Sequence, residues 1–373
     1  MVGLGLGLFM DGVTVTRGAE RDRMPSRPHA QAYAELKGLL AQQGLFDRQP
    51  RYYTWKILQT LSCLGVALGI LLTTQLFWLQ LLNAALLACV FTQTAFLGHD
   101  AAHRQVFQSA WKTKVFCLLC TLLTAISYSW WTEKHNRHHR HPNHLERDPD
   151  VQLRFLTLAE APRQTASSVR RVIVKHQAWW FVPMLLLQGF AIRIHSIAFL
   201  RSRRGRVPMV EPLCMAVHVG LYLGGVFALL GLWPGMAFML VHQMLFGLYM
   251  GSVFAPNHKG MLMQQGGSQL DRLRQQVLTA RNVRSHPVTD FWFGGLNYQI
   301  EHHLFPSLAR NQLKAAQATV RAFCQARAIP YHETSIVQAY RDILRYLHHV
   351  SAPLRHAGTG HPSQRSGAAI EAG

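Results

Sequence analysis

The sequence predicts an all-α integral-membrane protein: four transmembrane helices paired as two hairpins, with interfacial helices and a cytoplasmic helical cap. Two charge-free blocks and the placement of the cations carry this prediction. Ile57–Gly98 runs 42 residues without Asp, Glu, Lys or Arg, and Pro212–Asn257 runs 46. A hydrocarbon core about 30 Å thick takes roughly 20 helical residues to cross, so each block is about two crossings long. The net charge of +20 comes from the segments between and outside the blocks; residues 99–211 alone hold 17 Lys and Arg against 7 Asp and Glu. Basic residues gather at a cytoplasmic membrane face bearing anionic lipid. That distribution accounts for the charge without nucleic acid as a partner.

The elements follow in order. Residues 1–28 read as a disordered leader without the basic start of a secretory signal. His29–Asp47 has helical spacing of Tyr33, Leu36, Leu39 and Leu40 and predicts an amphipathic helix on the membrane surface. Arg51-Tyr-Tyr-Thr-Trp-Lys56 mixes aromatics and cations, as an interface belt does. Crossings are expected over residues 57–79, 81–98, 213–232 and 236–255. Both connecting turns are uncharged and belong on the side that cations avoid. Val115–Trp131 and Ala178–Ile192 are apolar but short, and predict interfacial or re-entrant helices, or helices buried against the other spans. From Ser351 the chain is rich in Gly, Ser, Ala and His and reads as a disordered tail, 351–373. A single domain over 29–350 remains. The six cysteines form no disulfide framework; Cys117-x-x-Cys120 lies in an apolar run and reads as two small residues on one helix face.

The 21 histidines are clustered. His99 and His103 follow the second crossing, His135, His138 and His139 form a second group, His302 and His303 a third, and His258 directly follows the fourth crossing. Residues i, i+3 and i+4 share a helix face, so His99 can point with His103, and His135 with His138 and His139. Neutral imidazole suits iron, zinc, copper and nickel. With four crossings all the clusters reach one membrane face; a lone crossing by Val115–Trp131 would separate the first two. Neither the Glu-x-x-His pairs of soluble di-iron bundles nor an H-E-x-x-H zinc motif occurs. Eight histidines exceed the ligand count of one tetrahedral zinc, and two metals fit better. A metal transporter is the competing class, but its ligands belong near the bilayer midplane.

His218 and His242, within crossings, are expected to bond neighbouring helices. His141 and His144 are expected to stabilise the loop after the second cluster. Asp148 and Asp150 are candidates for orienting ligand imidazoles. His348-His349 is expected at the surface.

The motifs H99-D-A-A-H103, W131-T-E-K-H135-N-R-H138-H139, F254-A-P-N-H258 and N297-Y-Q-I-E-H302-H303-L-F-P306 resemble those of the membrane fatty acid desaturases over residues 30–345. Gln299, where other branches have His, resembles the acyl-lipid or front-end branch, here without a fused cytochrome b5 signature. The resemblance implies an O2-dependent oxidoreductase that introduces a double bond into an acyl chain. It implies two iron ions held by His99, His103, His135, His138, His139, His258, His302 and His303, with Asn257 and Gln299 nearby. It implies electrons from NAD(P)H through a separate ferredoxin or flavoprotein reductase. The acyl group could be linked to coenzyme A, a carrier protein or a lipid. A histidine-box hydroxylase or monooxygenase shares this chemistry. An inner, cytoplasmic membrane is expected, with the metal site and both termini on the cytoplasmic side.

Overall fold

A computed structural model describes residues 27–153, 155–159, 168–267 and 270–356. The predicted leader and tail lie outside the described residues, apart from their helical edges at Arg27 and up to His356. In chain order the helices are α1 (Arg27–Gln42), α2 (Pro50–Thr73), α3 (Phe77–Ala102), α4 (Ala110–Thr124), α5 (Tyr128–Arg140), α6 (Ser168–Lys175), α7 (Gln177–Leu186), α8 (Gln188–Ser202), α9 (Val210–Leu230), α10 (Leu232–His258), α11 (Arg272–Leu278), α12 (Pro287–Trp292), α13 (Gln299–Leu304), α14 (Leu313–Ala326), α15 (Ile336–Val350) and α16 (Ala352–His356). Two dipeptides, β1 (Asn282–Val283) and β2 (Glu333–Thr334), pair in parallel, with Asn282 opposite Glu333.

The four crossings are α2, α3, α9 and α10, each 21 to 27 residues long. They divide into an inner and an outer pair. About half of the apolar window is buried in α3 (56%) and α10 (50%), against 11% in α2 and 22% in α9. Leu58, Leu61 and Leu72 of α2 and Leu213 and Leu221 of α9 are exposed, a surface fit for lipid. Trp78 and Trp233 stand exposed at the hairpin turns and Trp55 and Trp111 towards the histidine end, so aromatics mark both interfaces.

The hairpin turns fall earlier than the apolar blocks alone suggest. The first is at Thr74–Leu76, not near residue 80, because the Gln80 side chain donates to the carbonyls of Ile70 and Thr74 and satisfies the end of α2. The second is a single residue, Gly231, whose φ of +74° glycine adopts without strain.

Neither short apolar run forms a straight span. α4 and α5 meet at 109° and α7 and α8 at 73°. At the first bend Ala125 takes a left-handed conformation (φ +53°). Ser127 then caps α5, its hydroxyl accepting from Trp130 N at 3.1 Å. The same hydroxyl donates to the buried Glu211 carboxylate at the start of α9. That carboxylate also accepts from Ser129 N (2.9 Å) and Ser129 Oγ (2.6 Å), so the second hairpin is tied to the N-terminus of α5. Negative charge there also complements the helix dipole. α7 and α8 press on α10 where glycines permit it: a Cβ on Gly247 would stand 2.6 Å from the Gly189 nitrogen. Close backbone approach through small residues is how membrane helices associate without a hydrophobic drive.

The expectation for the first helix is also corrected. α1 does not lay its apolar face on the membrane. Leu36 and Leu40 are fully buried in a core with Leu273 and Val277 of α11, Ile300 and Leu304 of α13, and Val320 of α14. Protein takes the place of lipid against that face, and α1 becomes part of the cap over the histidine end.

Candidate metal centre

Four chain segments deliver the eight histidines. His99 lies in the last turn of α3 and His103 is its C-cap. The chain then reverses at Arg104 (φ +62°), with Gln105 N donating to Asp100 O and Arg104 N to Ala101 O. These paired bonds satisfy the terminal carbonyls as a Schellman motif does. His135, His138 and His139 lie along one side of α5, His258 is the last residue of α10, and His302 and His303 share α13. Asn143 (φ +55°) joins two of these segments: its amide donates to the carbonyls of His258, Leu262 and Thr279.

The ring nitrogens gather in two groups. One is His99, His103, His135 and His302; the other is His138, His258 and His303; within each, the ligand atoms lie within 4.8 Å of one another. His139 lies between them, its Nε2 2.9 Å from that of His135 and its ring stacked on His303 at 4.3 Å. His135 Nε2 is 2.9 Å from His103 Nε2, and His258 Nε2 is 3.0 Å from His303 Nε2 and 3.3 Å from His138 Nε2. Two imidazole nitrogens each about 2.0–2.1 Å from one ion stand roughly 2.9–3.4 Å apart at right-angled to tetrahedral geometry. His99 Nε2 and His302 Nε2 are buried with no hydrogen-bond partner among the described residues. Buried polar atoms are ordinarily satisfied, and a metal would satisfy these. The donor set fits a metal centre.

Four of the outer nitrogens are held by protein. His138 Nδ1 meets Asp148 Oδ2 at 2.8 Å, and Asp150 is 3.5 Å away. His99 Nδ1 meets Asp100 Oδ1 at 3.0 Å. His258 Nδ1 donates to Thr279 O and His303 Nδ1 to Gln276 Oε1, each at 2.9 Å. With Nδ1 protonated by such partners, Nε2 keeps its lone pair for a metal. Burial, reinforced by neighbouring imidazoles, holds His103, His302 and His303 well below the ordinary histidine range. They stay neutral, the form that binds metal.

Several further residues stand where the sequence suggested. Asp148 orients an imidazole, while Asp150 pairs mainly with Lys134. His144 is buried and bonds Gly266 O across the loop. His218 bonds Leu122 O and His242 bonds the Tyr222 hydroxyl, both between helices. His348 and His349 are exposed. Cys117 and Cys120 are free and buried, packing against α3 at Gly98 beside His99. Gln299 is closer to the site than expected: its amide nitrogen is 2.9 Å from His258 Nε2, and Asn257 Nδ2 donates to its carbonyl at 3.0 Å. Trp131, which opens the second motif, stacks on His135 at 4.3 Å, whereas Gln276 and Thr279 carry no sequence signal.

Membrane-length helices that bring eight imidazoles together define an integral-membrane helical fold whose clustered histidines fit a metal centre. The chain belongs to the fatty acid desaturase family, which matches residues 39–335. It is 27% identical over 344 residues to an acyl-lipid (9-3)-desaturase of Physcomitrium patens, covering 88% of this chain and 64% of that one. It is 29% identical to a delta(8)-fatty-acid desaturase of Euglena gracilis, covering 84% and 77%. It is 28% identical to a delta(6)-fatty-acid desaturase of Caenorhabditis elegans, covering 85% and 74%. The chain thus spans just under two thirds of the moss protein's length.

Proposed function

We propose that this chain is an O2-dependent fatty acyl desaturase, with residues 29–350 as the catalytic domain and the eight histidines as ligands to two iron ions. The convergence of His99, His103, His135 and His302 in one group and His138, His258 and His303 in the other carries this reading. An unactivated methylene cannot be dehydrogenated by acid–base chemistry; iron bound here would supply the activation of O2 that the reaction needs. The reaction takes one hydrogen from each of two adjacent methylenes, consumes one O2, two electrons and two protons, and releases two waters. The protein's part is to fix the imidazoles through Asp100, Asp148, Gln276 and Thr279, and to keep them neutral by burial. Trp131 packs beside His99 and His135 and gives the centre an apolar wall.

Electrons would come from NAD(P)H through a separate ferredoxin or flavoprotein reductase. Exposed Arg104, Arg137, Arg140 and Arg147 lie in the segments that carry the half-buried His103, His135 and His139, a basic face suited to an acidic donor. The centre and both termini would then face the cytoplasm, from an inner, cytoplasmic membrane. Turnover with an acidic donor should fall as salt is raised; insensitivity to salt would remove electrostatic docking from this account.

The deciding experiment is expression in a lipid-producing host with a supplied reductase, followed by mass spectrometry of the acyl chains. A product two hydrogens lighter supports desaturation. A product one oxygen heavier identifies a hydroxylase, and metal uptake into vesicles without either product identifies a transporter. The relatives' names differ in bond position, so localising the new double bond also sets the regiochemistry.

A further inference from the structure

We propose that Arg310 is a positioning residue for the first histidine group: it neutralises the buried Asp100 carboxylate and thereby fixes the His99 ring with Nε2 turned to the metal. Arg310 Nη2 lies 2.6 Å from Asp100 Oδ2, and the other carboxylate oxygen is the one that meets His99 Nδ1. Asp100 and Arg310 are 3% and 6% exposed, so neither charge has water to fall back on. A carboxylate can only accept from Nδ1, which assigns the proton there and the free lone pair to Nε2. That Nε2 is one of the buried atoms without a partner among the described residues.

The surroundings are shaped for this side chain. Gly294 and Gly295 both have positive φ, +56° and +80°. A Cβ on Gly295 would stand 2.5 Å from Arg310 Cγ, and one on Gly294 would stand 2.6 Å from Phe96 Cδ2. The Arg310 guanidinium lies 5.6 Å from the centre of that Phe96 ring. The two glycines therefore admit both the arginine stem and the ring beneath its head. The backbone is held separately: Arg310 N donates to the Tyr53 hydroxyl at 3.1 Å, and that hydroxyl donates to Gln105 Oε1 at 2.6 Å. Changing the side chain leaves those anchors in place.

The second group offers an internal control. Asp148, which orients His138, is met by the backbone N–H groups of Asn143 and Asp150, each at 2.8 Å. Arg310 is therefore needed by one group only. Removing one member of a buried charge pair strands the other, so losing Arg310 disturbs Asp100 and, through it, His99.

This inference rests on the two-metal reading. The test is iron retention per chain in the full-length protein, measured by elemental analysis during challenge with a graded chelator. Wild type should hold two ions. In Arg310→Met one ion should become about 10–100-fold easier to remove, the scale of losing a partner that orients a ligand, with the other unchanged. In an Asp100→Asn background, Arg310→Met should cost nothing further. Retention of both ions at wild-type affinity, or equal loss of both, overturns the assignment. If Arg310→Met does not accumulate, Asp100→Asn is compared with the double variant: equal retention supports the relay and further loss overturns it. A wild-type chain that holds a single ion overturns the two-metal reading, and with it the allocation of Arg310 to one of two groups.

Discussion

Asp148 Oδ2 accepts from His138 Nδ1 at 2.8 Å while fully buried, and the same oxygen accepts from Asn143 N at 2.8 Å. One carboxylate oxygen thus fixes both a candidate ligand and the turn that follows its helix. Asp148→Asn should weaken retention of the metal at the second group by about 10–100-fold. Chelator titration checks this; unchanged affinity would leave Asp148 a loop residue.

Glu211 should matter to stability although its carboxylate bonds serines rather than the imidazoles. Its carboxylate accepts from Ser127 Oγ, Ser129 N and Ser129 Oγ. Glu211→Leu would leave these donors without their acceptor and should destabilise the protein by about 1–3 kcal/mol. Thermal unfolding in a fixed detergent reads the shift. A melting point equal to wild type would show that the tie between α9 and the start of α5 is dispensable.

Two glycines should respond oppositely to alanine. At Gly247 the added Cβ meets the α7–α8 backbone, with atoms at 2.6, 2.8 and 2.9 Å, and the change should cost about 1–3 kcal/mol. At Gly220, on α9, nothing lies within 4 Å, and alanine should stabilise by about 0.5–1 kcal/mol through helix propensity. Parallel melts of the two variants give the comparison, and a neutral Gly247→Ala would contradict the close packing.

The metal-free protein should lose stability in acid. His103, His302 and His303 titrate well below the ordinary histidine value when folded, chiefly because they are buried. Below about pH 6.5 the unfolded chain takes up protons that the folded chain refuses. Stability is therefore fully present above that pH and is lost as pH falls towards the depressed folded values. Denaturation of the chelated protein at stepped pH measures this. His302→Ala should flatten the slope, and a slope unchanged by that variant would mean that other groups dominate.

The sequence made the crossings legible because bilayer thickness imposes length and the cost of charge imposes composition; Ile57–Gly98 and Pro212–Asn257 needed nothing else. The histidine spacing was legible for a similar reason, since helical geometry puts His135, His138 and His139 on one side of α5. The turn at Thr74–Leu76 was hidden because the Gln80 side chain sets it through bonds to carbonyls ten and six residues earlier. The role of α1 was hidden because an apolar stripe does not record whether lipid or protein covers it. Gln276, Thr279 and Arg310 were hidden because each reaches its histidine or carboxylate through tertiary folding, from 27, 21 and 210 residues away. No local pattern encodes such a partner.

The division of the histidines among distant segments has a consequence for how the protein is made. At synthesis rates of about 5–20 residues per second, His99 and His103 emerge roughly 10–40 s before His302 and His303. Through that interval the first hairpin can already occupy the bilayer while offering only an open half-site. α13 closes both groups at once, since it carries a member of each, and Arg310 follows it from the next segment of the chain. Capture of the proposed iron would therefore be a late event in biogenesis, with the C-terminal cap as the clasp that completes the site.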